Sequence, residues 1–169
     1  SFPLNYPKGA AFNAHPGLYG TAWNPWRDVF LPMIGFNFSG QNNPCLPQPM
    51  LADIVFDVDE SMIMTFIDRL GHQTGTLNYS TDPSDTKLYS SVAGGDILRA
   101  SLVNGVYTLE NNATVGGVTT TGKDNAEGPA TINGTNNGYT GTGGEFYVGD
   151  NSLSHYHEEN VNGGSALLP

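Results

Sequence analysis

Apolar residues gather in a few short runs along this chain, and the densest pair lies within residues 48–71, QPMLADIVFDVDESMIMTFIDRLG. Residues 51–56 and 62–67 flank an acidic turn at Asp57, Asp59 and Glu60. Each run has the length of a strand, and Ile, Val, Phe and Thr favour strands. In an extended chain Ile54 and Phe56 point to one side and Val55 to the other, while Met62, Met64 and Phe66 oppose Ile63 and Ile67. Both runs are apolar at odd and even positions alike. The pattern therefore predicts a hairpin covered on both faces, inside a sandwich or between stacked sheets. On that expectation Phe56→Asp and Ile63→Asp each abolish the fold.

A second hairpin is written in GGDILRASLVNGVYTLENN. Residues 96–103 and 106–110 are β-rich runs joined at Asn104-Gly105, a dipeptide suited to the positive backbone angles of a type I′ turn. Elsewhere residues 29–38 carry enough bulk for one strand, and residues 145–148 (EFYV) and 165–168 predict two more. Prolines at 3, 7, 16, 25, 32, 44, 47 and 49 forbid a long helix in the first fifty residues. No segment keeps a 3.6-residue period over ten positions, so the chain reads as all-β. Two hairpins in series predict four antiparallel strands in one sheet. This matches about one blade of a partial β-propeller with parts of its neighbours, and a β-sandwich is the alternative.

Residues 111–144 are Gly, Asn and Thr with scattered charge, and read as a long loop insertion or local disorder because they offer little to bury. The chain of 169 residues makes one domain at most. Residues 1–169 read as a single all-β region, cut from a larger domain because the chain starts without Met and ends on an apolar SALLP. A net charge of -10, with only 6 Lys and Arg, argues against a basic patch for nucleic acid or an anionic membrane. No stretch reads as a signal peptide or a membrane span. Cys45 is the single cysteine, so no internal disulfide forms, and its apolar setting CLPQPML favours a small buried residue over a nucleophile.

Taken in order, PQPMLADIVFDVDESMIMTFIDRLGHQTG, GGDILRA, GGEFYVGDN and GGSALLP resemble a recurring region of large bacterial secreted or surface proteins, which often also carry SdrD B-like repeat domains. The resemblance runs from residue 2 to residue 169. It implies a propeller-like β region in a longer extracellular polypeptide, with the remainder of that parent chain as a partner. It brings no catalytic residue with it. Glu60 departs from the pattern, since a turn Gly is usual after an Asp-x-Asp pair.

Three chemistries are open to these residues. Asp57, Asp59, Ser61, Thr65 and Asp68 fall at the first, third, fifth, ninth and twelfth places of an EF-hand-like spacing. Met62 at the sixth place and the strand-like SMIMTFI defeat that motif, leaving a looser calcium site on Asp57 and Asp59. His155 and His157 lie on one side of an extended segment with Glu159 two further on, a donor set for zinc, copper or nickel; His72, His15 or Glu145 would complete it. The bland reading of HYHEE is an exposed polar loop. Asp53, Asp68, Asp96 and Glu145, near strand ends, are the carboxylates a glycosidase-like propeller would use. Against it, aspartates beside strands are ordinary turn formers, and no nucleophile motif or phosphate loop is present. Arg69 and Arg99 are expected to pair with nearby aspartates. Asn37, Asn78, Asn112 and Asn133 begin N-x-S/T sequons, which matter only in a eukaryotic secretory setting. The leading expectation is a non-catalytic structural or adhesive segment binding an extracellular carbohydrate or protein, with calcium or zinc as the candidate cofactor.

Overall fold

The computed structural model describes residues 2, 4–8, 22–27, 36–38, 41–43, 47–91, 93–130 and 143–148. In chain order the elements are β1 (Phe36–Phe38), β2 (Gln41–Asn43), β3 (Pro49–Phe56), β4 (Met62–Asp68), α1 (Arg69–Thr74), β5 (Asn78–Tyr79), β6 (Leu88–Tyr89), β7 (Asp96–Val103), β8 (Val106–Leu109), β9 (Thr114–Val115) and β10 (Val118–Thr119). The two predicted hairpins are β3–β4 and β7–β8. They join through β4 and β7 into one antiparallel sheet of order β3-β4-β7-β8, with Phe56 opposite Met62, Met64 opposite Leu98 and Ala100 opposite Leu109. Among the described residues the structure is all-β apart from α1. A small sheet of order β1-β2-β6-β5 contains one parallel pairing, β2 with β6.

Turn chemistry sets both hairpins. Asn104 and Gly105 sit at φ 51° and 77°, the left-handed pair that a type I′ turn requires. At the acidic turn the Glu60 N–H donates to the Asp57 carbonyl at 2.9 Å, and the Asp57 N–H donates to the Ser61 carbonyl at 2.9 Å. This is a type I turn followed by a left-handed residue, and Glu60 occupies that place at φ 64°. A glycine would be at ease there; a glutamate is not.

One face of the sheet carries the core. Met64, Leu98, Ala100 and Leu109 bury themselves beneath Tyr6, and Phe2, Leu4, Trp23, Met62, Phe66 and Tyr107 pack around them. Phe2, Leu4, Tyr6 and Trp23 thus lie across the strands of this sheet. Trp23 meets Phe66 with ring centroids 6.3 Å apart. On the opposite face Ile63, Thr65 and Arg99 are buried as well. The central strand β4 is therefore enclosed on both sides, as its double-sided pattern predicts.

The hairpin as a whole is not. In β3, Leu51, Ile54 and Phe56 are 49%, 43% and 56% exposed. The cause is position: among the described residues β3 ends its sheet and has a strand on one side only. A bulge between Leu51 and Asp53 also re-aims its side chains. The expectation that Phe56→Asp abolishes the fold falls with that exposure, whereas Ile63 remains buried. Residues 145–148 do not form the predicted strand either. They run as a bent, irregular segment because the Phe146 N–H is taken by the Glu110 carboxylate instead of a ladder carbonyl.

The first part of the Gly/Asn/Thr-rich stretch is built into the structure. The β9–β10 hairpin lies within it, Ala113 and Val115 are buried, and the Ala113 N–H donates to the Gly144 carbonyl at 2.7 Å. A side chain at Gly144 would collide with the Gly122 carbonyl, so two glycines let these backbones touch. Residues 131–142 and the expected strand at 165–168 lie outside the described residues, as does most of the 29–38 run apart from β1.

Candidate functional site

The acidic turn delivers two of its three carboxylates, Asp57 and Asp59, to Arg99. Cross-strand pairing of Arg99 with Ile63 sets this arginine beside the hairpin end. Its Nη2 lies 2.7 Å from Asp57 Oδ2 and 3.0 Å from both oxygens of Asp59. Nη1 donates to the Tyr147 hydroxyl at 2.9 Å, and the guanidinium stands 5.5 Å from the Phe146 ring centre. Hydrogen bonding from Arg99 holds the Asp57 carboxyl below its usual range; the Ser61 N–H is the first cause for Asp59, with Arg99 adding to it. Burial works against the charge on Arg99, yet its bonds to Tyr147, Asp57 and Asp59 outweigh that and raise its pKa.

Asp57 and Asp59 therefore converge on a guanidinium, and a calcium ion at this point would have to displace it. Among the described residues no group of three or more His, Cys, Asp or Glu is arranged to hold a metal. His72 lies exposed on α1. His155, His157 and Glu159, with His15 and Cys45, lie outside the described residues. Arg99 pairs with aspartates as expected. Arg69 instead donates to Gln48 Oε1 at 2.7 Å and lies 4.9 Å from the Trp26 ring centre.

The carboxylates proposed for glycoside chemistry are placed differently. Asp53 sits on β3 and accepts the Ile54 N–H at 2.8 Å. Asp68 is 2% exposed and caps α1, its Oδ1 accepting from the Leu70 and Gln48 amides at 2.9 Å each. Asp96, 1% exposed, accepts a short hydrogen bond from the Tyr6 hydroxyl, which burial pushes well above its usual pKa. Glu145, 1% exposed, accepts from Asn125 Nδ2 at 3.0 Å. A glycosidase needs two carboxyls facing each other across a cleft that admits a sugar. Asp68, Asp96 and Glu145 are interior groups fixing one chain segment to another, while Asp53 lies half-buried on β3.

Sequence reasoning missed the most deeply placed member of the set. Glu110 is 0% exposed; its Oε1 accepts the Arg99 N–H at 2.8 Å and its Oε2 the Phe146 N–H at 2.5 Å. The side chain replaces a missing ladder carbonyl next to β8 and ties residues 143–148 to β7. Its only sequence signal is a Glu closing a β-rich run, which is common. Lys8 was missed as well: it is 1% exposed, with Nζ 5.0 Å from the Trp23 ring centre and close enough to Asp68 to favour that carboxylate's charge. Of the sequons, Asn112 is fully engaged, its side chain bonding Asp124 and the Gly144 N–H. Away from these groups Tyr79, Ser80, Asp82, Pro83, Asp85 and Thr86 line an open hollow of about 320 Å³.

Colossin-A of Dictyostelium discoideum is 32% identical to this chain over 154 residues, covering 87% of the chain. The chain spans about 1% of the length of that relative. No protein-family profile and no solved structure matches it. No helix among the described residues is long and apolar enough to cross a membrane.

Proposed function

We propose that this chain is a non-catalytic structural or adhesive β segment of a large extracellular protein. The observation that carries the reading is the use of the interior carboxylates. Asp68, Asp96, Glu110 and Glu145 are each 2% exposed or less, and each accepts hydrogen bonds that join separate stretches of chain. Groups so held hold the fold together; they do not face a substrate. Similarity to a stretch that makes up about 1% of a very long relative supports a segment embedded in a longer polypeptide. The four-stranded antiparallel meander β3-β4-β7-β8 has the form of a propeller blade, and the same meander fits one layer of a sandwich.

The hollow beside Tyr79 is the natural place for an extracellular carbohydrate or peptide. Tyr79 is 70% exposed, and Asp82 and Asp85 are fixed by bonds to Ser84 and Tyr89 respectively. A panel of soluble polysaccharides incubated with the wild-type chain and with Asp96→Asn tests the reading. The expected result is no hydrolysis by either protein and a lower melting temperature for the variant. Hydrolysis by the wild type, lost in Asp96→Asn at unchanged melting temperature, would overturn it in favour of a glycosidase.

A further inference from the structure

The bulge in β3 gathers its exposed apolar side chains onto one face. Leu51 stands opposite Phe66, Ile54 opposite Met64 and Phe56 opposite Met62. These three partners lie on the core face, where Met64 is buried and Phe66 and Met62 pack against the cluster. Without the extra residue, Leu51 and Ile54 would point to opposite sides. The result is an apolar stripe along a sheet edge, next to the core that Tyr6 and Trp23 help to cover.

The backbone of the same edge is turned outward. Asp57 bonds inward to Ser61, so by alternation Phe56 and Ile54 present their backbone groups away from β4. Asp53 accepts the Ile54 N–H, a local bond that a strand carbonyl could replace. Edge strands are usually blunted by lysine or by a cover; residues 50–56 carry one charge, that of Asp53, and no lysine.

The two ends of the edge differ in sign. At one end lie Asp57, Asp59 and Glu60, three carboxylates against the one guanidinium of Arg99 that Asp57 and Asp59 share. At the other, the Trp26 indole donates to the Pro49 carbonyl at 2.7 Å, bringing Arg27 and Arg69 alongside; Arg69 Nη1 donates to the Arg27 carbonyl at 3.4 Å. A strand that is acidic at one end and basic at the other complements its own antiparallel copy. From this we infer that two copies of the chain pair edge to edge through β3, about a twofold axis near Ile54, fusing two four-stranded sheets into one of eight strands. Each acidic turn then meets the partner's Arg27 and Arg69, and the two apolar stripes become continuous on one face. A parallel pairing would set like charges together, which disfavours it.

Sedimentation velocity over a range of concentrations tests the dimer. The chain is expected to dimerise with concentration, and Ile54→Lys to raise the dissociation constant by about tenfold or more while leaving the melting curve of the monomer in place. Arg27→Glu and Glu60→Lys should each weaken the dimer, and the double variant should restore it, because the twofold sets these positions against each other. A single monomeric species at every concentration would overturn the inference. So would a dimer insensitive to Ile54→Lys, or charge variants whose effects merely add.

Discussion

Two residues show how locally this fold is tuned. Glu60 holds a left-handed backbone at φ 64° while its side chain is exposed, so it bears a steric cost for no visible contact. Glu60→Gly is expected to stabilise the chain by about 1 kcal/mol, with the greater chain entropy of unfolded glycine limiting the gain. Urea unfolding would read it, and a loss of stability would mean that the glutamate side chain has a role in the turn. Asp68 is the second case. Burial, working against amide hydrogen bonds and the nearby Lys8, holds its carboxyl above the ordinary carboxylate range. Between the ordinary and the raised value the folded chain keeps a proton that the unfolded chain has released, so stability falls as pH rises through that window. Asp57 and Asp59 act with the opposite sign. Held low, they contribute fully above the ordinary carboxylate pKa, and that contribution is lost as pH falls through their lowered values. Asp68→Asn should therefore flatten the decline in stability above the ordinary carboxylate pKa and leave the acid loss below it unchanged. Urea melts at a series of pH values check this.

At the scale of elements, the difference between β3 and β4 decides what a substitution does. Ile63 is 5% exposed in a strand flanked on both sides, so Ile63→Asp loses that apolar burial and sets a third carboxylate beside Arg99, which Asp57 and Asp59 already hold; it should leave no soluble folded protein, a cost of about 4 kcal/mol or more. Phe56→Asp, on the exposed edge, should cost about 1 kcal/mol and fold normally. Circular dichroism of the two variants separates them, and equal loss in both would mean that β3 is covered. The hairpins, their turn at Asn104-Gly105 and the order of the main sheet were legible because period, turn residues and propensity agreed at those positions. The exposure of β3 was not, since an apolar run reads the same at the edge of a sheet as at its centre. Residues 145–148 misled for a related reason: EFYV has strand propensity, but the acceptor for Phe146 is a side chain 36 residues away. The convergence of Asp57 and Asp59 was visible in their spacing, while the guanidinium between them comes from β7 and depends on the strand pairing.

The whole molecule is joined by polar groups as much as by its apolar face. Tyr6 on Asp96 fastens the N-terminal stretch to β7, Asp68 fastens the start of β3 to α1, and Glu110 fastens residues 143–148 to the sheet. An acidic chain of 169 residues with few lysines and arginines thus places several carboxylates inside and satisfies them mainly with amides and hydroxyls. Such bonds fix segments that carry little apolar surface, as the Gly/Asn/Thr-rich stretch does, and this explains how residues 111–130 take a definite path. The burial of Asp68, Asp96, Glu110 and Glu145 is also the observation on which the proposed non-catalytic reading rests. The most direct test is the urea unfolding free energy of Glu110→Gln against the wild type, followed by Trp fluorescence. Glutamine offers one acceptor where two N–H groups need one each, so the predicted loss is about 2–3 kcal/mol. Unchanged stability would contradict the account, because it would show Glu110 to be dispensable to the fold and free for another role.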